Sequence, residues 1–323
     1  MRSSQKINLT NKYEFHSSGK LNTIYMIKEF IKSHSIMREF WLPLARLRAR
    51  LRGVSELSAN NYMNSVVGGT MVVAPTNIPG RFEVSAISHL AMRVAIHGDY
   101  ERDVTTVLAK YPKQAGTFVN VGANVGFYSV YAAKVLGYSK VLAVEPNPSA
   151  FELLCRNISA NGLDGVIVAH QKCVARTEGQ LQLAVVDGMP EYSSIDRIVL
   201  TSVHQKEVRH VTVSAVPLME IVGDERVGVL FVDTEGAEEE IFAGAEDILM
   251  RDRPLIYFEC SDPLLRKFGS SSAALEHRLA TLGYIVRNGL APSLRLRHPY
   301  EGEAVAYHPQ QPAHGVFHGR IPR

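Results

Sequence analysis

The sequence predicts an α/β fold: a doubly wound, mostly parallel sheet with helices on both faces, preceded by an N-terminal helical arm. Two observations carry this. From Thr117 onward, short apolar runs alternate with amphipathic helical stretches, the pattern of a parallel sheet covered on both sides. Three of those runs also end in a glycine turn or an acid: 117–121 at Gly122, 140–144 at Glu145 and 227–232 at Asp233. Ligands of an open parallel sheet bind outside the carboxyl ends of its strands, so these positions mark the candidate site. With 46% hydrophobic and 21% charged residues, the 323-residue chain has an ordinary globular composition and allows two domains, or one large domain with an arm.

The formal net charge of +3 is unevenly spread. Residues 1–61 hold eleven Lys and Arg against four Asp and Glu, while residues 62–323 hold 24 against 28. The basicity therefore belongs to the arm. Met1 to Gly19 is polar, aperiodic and expected to be mobile. From Asn22 to Leu51, Ile24, Ile27, Phe30 and Ile31, then Ile36, Phe40, Leu44, Leu47 and Leu51, recur at helical spacing, with Pro43 dividing two helices. The second bears Arg46, Arg48, Arg50 and Arg52. Packing on its own domain or on a second subunit is expected, and peripheral contact with an anionic membrane is the alternative.

Residues 62–115 read as a β/α cover: β segments at 66–74 and 82–85 around a Pro75 to Gly80 turn, then a helix over 99–111 with Tyr100, Val104, Val107, Leu108 and Tyr111 on one side. The core follows over 116–310, with residues 311–323 as a tail. Strand 117–121 leads to helix 126–136, and strand 140–145 to helix 149–161, whose buried stripe is Phe151, Leu154 and Ile158. Next come strand 165–170, extended segments near 180–186 and 208–215, and a short helix 217–222. Strand 227–232 leads to helix 237–250, with Glu238, Glu239 and Glu240 in the first turn, where the helix dipole favours acid. Strand 254–259, helix 271–282 and a final strand pair near 284–287 and 303–307 complete the sheet.

In the turn after the first core strand, glycines stand at Gly122 and Gly126 rather than in the dinucleotide spacing G-x-G-x-x-G, so a nicotinamide or flavin pyrophosphate is not the first choice. Glu145, 19 positions past Gly126, stands where a carboxylate can accept both hydroxyls of a ribose. Three motifs in order, NVGANVGFYS at 120–129, VLAVEPNP at 141–148 and VDTEGAEEEIFAG at 232–244, resemble those of the FkbM family of S-adenosylmethionine-dependent methyltransferases. The resemblance extends over roughly residues 62–310, since three motifs in order are far more specific than one. It implies a seven-stranded class I methyltransferase sheet and S-adenosyl-L-methionine as the cofactor. It implies a binding set of Asn120, Gly122, Ala123, Asn124, Gly126, Glu145, Pro146 and Asn147, with Cys173 and Val174 bordering the adenine. Glu101, beside Tyr100, is expected near the cofactor. Where Asn120 stands the family more often has Asp, and Pro217-Leu218-Met219-Glu220 replaces its usual Thr-Leu-Asp. Ser193 and Ser194 match a family serine pair and are read either as substrate contacts or as a plain hydroxyl turn.

The expected function is O-methylation of a hydroxyl on a sugar, glycan or other small-molecule natural product. Asp233, Glu235 and Glu259 form the expected catalytic acidic edge, with Asp233 the candidate base. The same three carboxylates are the candidate ligands for Mg²⁺, although no metal is expected. Two alternatives are a nucleic-acid methyltransferase, suggested by the basic arm, and a catalytically silent nucleoside-binding module. Against the first, strand 227–232 ends in DTEG and not in an Asn/Asp-Pro-Pro-Tyr element, so no specific nucleic-acid partner is expected. Cys155, Cys173 and Cys260 lack metal-ligand spacing, and the histidines, among them His204, His210, His298 and His308, lack a metalloprotease pattern. The absence of a secretory leader pattern and of a roughly 20-residue apolar run makes the expected address cytoplasmic, with a membrane-peripheral option through the arm.

Overall fold

The structure, a computed structural model, describes residues 69–86, 88–111, 113–186, 194–195 and 208–310. The predicted arm (1–61), the tail (311–323) and Ser193 lie outside the described residues. Strands β1 (Thr70–Val73) and β2 (Phe82–Ser85) pair antiparallel, so the predicted hairpin cover is present in shorter form. Two helices follow it, α1 (His89–His97) and α2 (Arg102–Leu108). The second is shorter than the predicted 99–111, because Glu101 takes a left-handed conformation and starts the helix late. The first went unread in the sequence, although Ser88 caps it by accepting from Ala91 N.

The core alternates as predicted. It contains β3 (Thr117–Val121), α3 (Phe127–Lys134), β4 (Val141–Val144), α4 (Pro148–Ala160), β5 (Ile167–His170), β6 (Cys173–Val174), β7 (Gly179–Val186), β8 (Ser194–Ile195) and β9 (Val208–Val216). After these come α5 (Leu218–Val222), β10 (Val227–Val232), α6 (Glu238–Gly244), α7 (Glu246–Asp252), β11 (Leu255–Ser261), α8 (Asp262–Leu265), α9 (Ser272–Thr281), β12 (Ile285–Asn288) and β13 (Glu301–Tyr307). The single helix expected over 237–250 is two. It breaks at Ala245, next to Gly244, where an added Cβ would stand 2.2 Å from the Ala175 carbonyl.

Seven strands form the main sheet in the order β12-β13-β11-β10-β3-β4-β5, and only β13 runs against its neighbours. This is the doubly wound, mostly parallel, class I methyltransferase sheet that the resemblance implies. Alternate residues of its central strands enter opposite cores, as the period of two requires. Phe231 and Tyr257 pack with α1 to α4 on one face, and Leu230, Val232, Ile256 and Phe258 with α5 to α9 on the other. The extended segments between β5 and β10 form a separate four-stranded sheet, β6-β9-β7-β8, with its own small core around Leu183, Val185 and Val213. Among the described residues no helix is long and apolar enough to cross a membrane.

Candidate functional site

The strand order sets out the site before any side chain is considered. Reading along the carboxyl edge of the parallel strands, β13 brings Glu303, β11 Glu259, β10 Asp233, β3 Gly122, β4 Glu145 and β5 Lys172. All six line one cavity of about 280 Å³.

The middle of that row is a close crossing of two loops. Gly122 has φ +81, and a Cβ there would stand 1.8 Å from the Asp233 carbonyl oxygen. The glycine is thus required by a chain segment 111 positions later, more directly than by a ligand. Gly126, at φ +93, begins α3, and its missing Cβ leaves room for Leu154 of α4. One strand over, Glu145 is 7% exposed and holds the turn together. Its Oε2 accepts from Asn124 N and its Oε1 from Asn147 N, both at 2.8 Å. Burial pushes the Glu145 carboxyl up to about 7, against the pull of these two N–H donors. Asn124, in a left-handed conformation, has a buried Oδ1 without a hydrogen-bond partner.

On the other side of Gly122 the row becomes acidic. Asp233, Glu235 and Glu259 each present an oxygen within 4.8 Å of the others. Glu303 is the register partner of Glu259 across β11 and β13, so the two carboxylates share one face of the sheet. Glu101 reaches the same cavity from the cover and accepts a hydrogen bond from the Tyr128 hydroxyl. Burial, then the charges of Glu259 and Glu235, raises the Asp233 carboxyl well above the usual range. Glu259 is raised by burial and by Glu235, and Glu303 is pushed up to about 8 by burial and by Glu101. Three of the four non-glycine residues with positive φ among the described residues, Glu101, Asn124 and Glu235, line this cavity. Such backbone costs on the order of 1 to 3 kcal/mol, least for Asn124, and persists where the surrounding structure over-determines it.

The profile of the methyltransferase FkbM domain matches residues 120–286, just over half of the chain, from the glycine turn through β12. The chain belongs to the FkbM methyltransferase family. Among its relatives, Methyltransferase 1 of Beauveria bassiana is 28% identical over 168 residues, covering 47% of this chain and 67% of the relative. Methyltransferase sdnD of Sordaria araneosa is 25% identical over 205 residues, covering 54% and 79%. The crystal structure of methyltransferase FkbM from Methylobacillus flagellatus aligns at 14% identity with a TM-score of 0.38, over 81% of this chain and 53% of that one.

For this FkbM-family chain, the cavity gathers Gly122, Asn124, Glu145, Pro146, Cys173, Val174, Asp233, Glu235 and Glu259 from the predicted set. Four of the predicted cofactor-binding residues do not line it. Asn120 is 1% exposed and donates to Ser129 Oγ at 2.9 Å beneath the turn, while Ala123 and Gly126 build the turn itself. Asn147 is fully buried, and its side chain caps α4 by accepting from Ser149 N. Ser194 lies in β8, opposite Ala184. Glu238, one of three acids assigned to a helix start, accepts from Thr234 N, Thr234 Oγ1 and Gly236 N and so caps its own loop. Sequence reasoning missed Glu303, Lys172, Leu183 and His89. Glu303 and Lys172 reach it through the pairing of β13 and β5, Leu183 through the second sheet and His89 from the start of α1, and no local signal points to them.

Proposed function

We propose that this methyltransferase moves the methyl group of S-adenosylmethionine onto a hydroxyl oxygen of a sugar, glycan or other small molecule. The observation that carries this is that one cavity is lined by Glu145 and, two strands or about 10 Å away, by the carboxylate group at Asp233. Glu145 suits the donor's ribose, because a carboxylate with two N–H bonds keeps lone pairs for two hydroxyls. The unpartnered Asn124 Oδ1 and the close backbone at Gly122 suit its polar methionine end. When bound, the donor supplies a methyl group on a positively charged sulfur, an electrophile that needs no further activation.

What the chain must add is position and a proton acceptor. An alcohol is a poor nucleophile until its proton leaves, and an Asp233 oxygen within hydrogen-bond reach takes it as the new bond forms, worth typically about 10² to 10⁴ in rate. The crowding that raises the Asp233 carboxyl also makes it a stronger base once ionised. Turnover is therefore expected to climb with pH above the usual carboxylate range. Asp233→Asn should keep donor affinity and lower turnover at least about a hundredfold. The cluster of Asp233, Glu235 and Glu259 also has the oxygen chemistry of a Mg²⁺ site. Loss of activity in EDTA with rescue by Mg²⁺ would move the activation step to a metal.

The deciding experiment compares glycans and lipids of the source cell by mass spectrometry with and without the gene. One methyl group gained on a hydroxyl supports the reading. Transfer of labelled methyl only to nucleic acid overturns it.

A further inference from the structure

We infer that the acceptor is cationic, with its hydroxyl beside a protonated amine that Glu101 and Glu303 recognise; this rests on the donor and acceptor ends assigned above. The acid end of the cavity has five carboxylates, Glu101, Asp233, Glu235, Glu259 and Glu303, drawn from the cover, the loop after β10, β11 and β13. The nearest lysine on the lining is Lys172, at the end of β5, three strands or about 14 Å from β10. The other basic lining residue, His89, stands edge-on to the Tyr100 ring.

Among the described residues, Asp233, Glu259 and Glu303 form no ion pair with lysine, arginine or histidine. Glu259 Oε2 is buried and has no hydrogen-bond partner. Glu259 and Glu303 face each other across antiparallel strands, where like charges repel. A half-buried carboxylate array of this kind is costly unless protons or a bound cation offset it.

The spread of the array separates the two kinds of cation. Mg²⁺ requires a compact shell at about 2.0 to 2.1 Å. Only Asp233, Glu235 and Glu259 bring oxygens within 4.8 Å of one another, and Glu101 and Glu303 fall outside that group. An ammonium, with three donors and a diffuse charge, suits a wider ring of acceptors and also the aromatic Tyr100 on the same lining. Glu101 and Glu303 reach the cavity from either side of the 120–286 segment that the family profile matches.

The test is calorimetric, on the full chain saturated with S-adenosylhomocysteine, with D-glucosamine and a small panel of amino alcohols as probes, each paired with its N-acetylated counterpart. The amines are expected to bind at least about tenfold more tightly than their neutral counterparts. Glu303→Gln and Glu101→Gln should each reduce that preference several-fold, and retained S-adenosylhomocysteine binding shows that each variant folds. Equal binding within the pairs overturns the proposal, as do no amine binding below about 10 mM or a preference unmoved by Glu303→Gln. Mg²⁺ titrated alone provides the second arm. Micromolar Mg²⁺ binding that is lost in Glu303→Gln assigns the acids to a metal and overturns the amine. Failure of wild-type protein to bind S-adenosylhomocysteine sinks the donor assignment, a result distinct from loss of the amine preference alone.

Discussion

Each oxygen of Glu145 accepts one backbone N–H, so a single side chain joins the turn after β3 to the start of α4 and still faces the cavity. Removing it takes a charged acceptor from two ribose hydroxyls and also strands two N–H groups. Glu145→Ala is expected to cost about 2 to 4 kcal/mol of S-adenosylhomocysteine binding, and equal affinities by calorimetry would remove Glu145 from the donor site. Gly122 tests a different claim. With φ +81 and the Asp233 carbonyl 1.8 Å from any added Cβ, Gly122→Ala must push the β3 and β10 loops apart. The expected outcome is a fall in Tm with loss of donor binding, whereas a ligand-only role would leave the free protein's Tm unchanged. Glu145 was legible in the sequence because it ends an apolar run beside the glycine turn. The reason for Gly122 was not, because its neighbour stands 111 residues away. Glu303 was illegible for a similar cause: its partnership with Glu259 exists only once β13 has paired antiparallel with β11.

Among elements, the cover owes its position to α4. Asn157 is fully buried and its amide spans three contacts: its Oδ1 accepts from Glu83 N at 2.6 Å, and its Nδ2 donates to Glu83 O and Val125 O at 2.9 and 2.8 Å. Two of these bonds tie β2 to α4, and the third ties α4 to the turn before α3. Asn157→Ala leaves those backbone groups buried and unpaired, so a destabilisation of about 2 to 4 kcal/mol is expected in chemical unfolding. Because the cover supplies Tyr100 and Glu101 to the cavity, acceptor binding should weaken with it. The alternation of strand and helix from β3 to β5 was readable in the sequence, as was β10 to the residue, since apolar runs of strand length bounded by turns carry that signal. Where packing overrode the periodic pattern, reading failed. The helix expected over 237–250 breaks because Gly244 is pressed against Ala175, and no periodicity reports such a contact.

For the whole molecule, the carboxyls lining the two ends of the cavity set the sign of the pH dependence of stability. Glu145 is pushed up to about 7 and Glu303 to about 8, with burial the first cause in both. In the unfolded chain both titrate near the ordinary glutamate value, about 4.3. Between those limits the folded protein keeps protons that the unfolded chain has released, so stability falls as pH rises toward the folded values. Two histidines act the other way at lower pH. Burial lowers His170 and His308, so the unfolded chain takes up protons first and stability rises as pH rises toward about 6.5. The window to measure is therefore pH 6.5 to 8, where the histidine contribution is past its midpoint and fading while the carboxylates are still releasing their protons. In ligand-free protein, Tm is expected to drop across this window. Glu303→Gln, which keeps the shape and removes the ionisation, should flatten the drop by an amount on the order of 1 to 2 kcal/mol. Thermal unfolding in a series of buffers at constant ionic strength measures both slopes. If wild type and Glu303→Gln lose stability in parallel between pH 6.5 and 8, Glu303 is not held protonated in the folded state, and the crowding of charge at the cavity's acid end is relieved by another route.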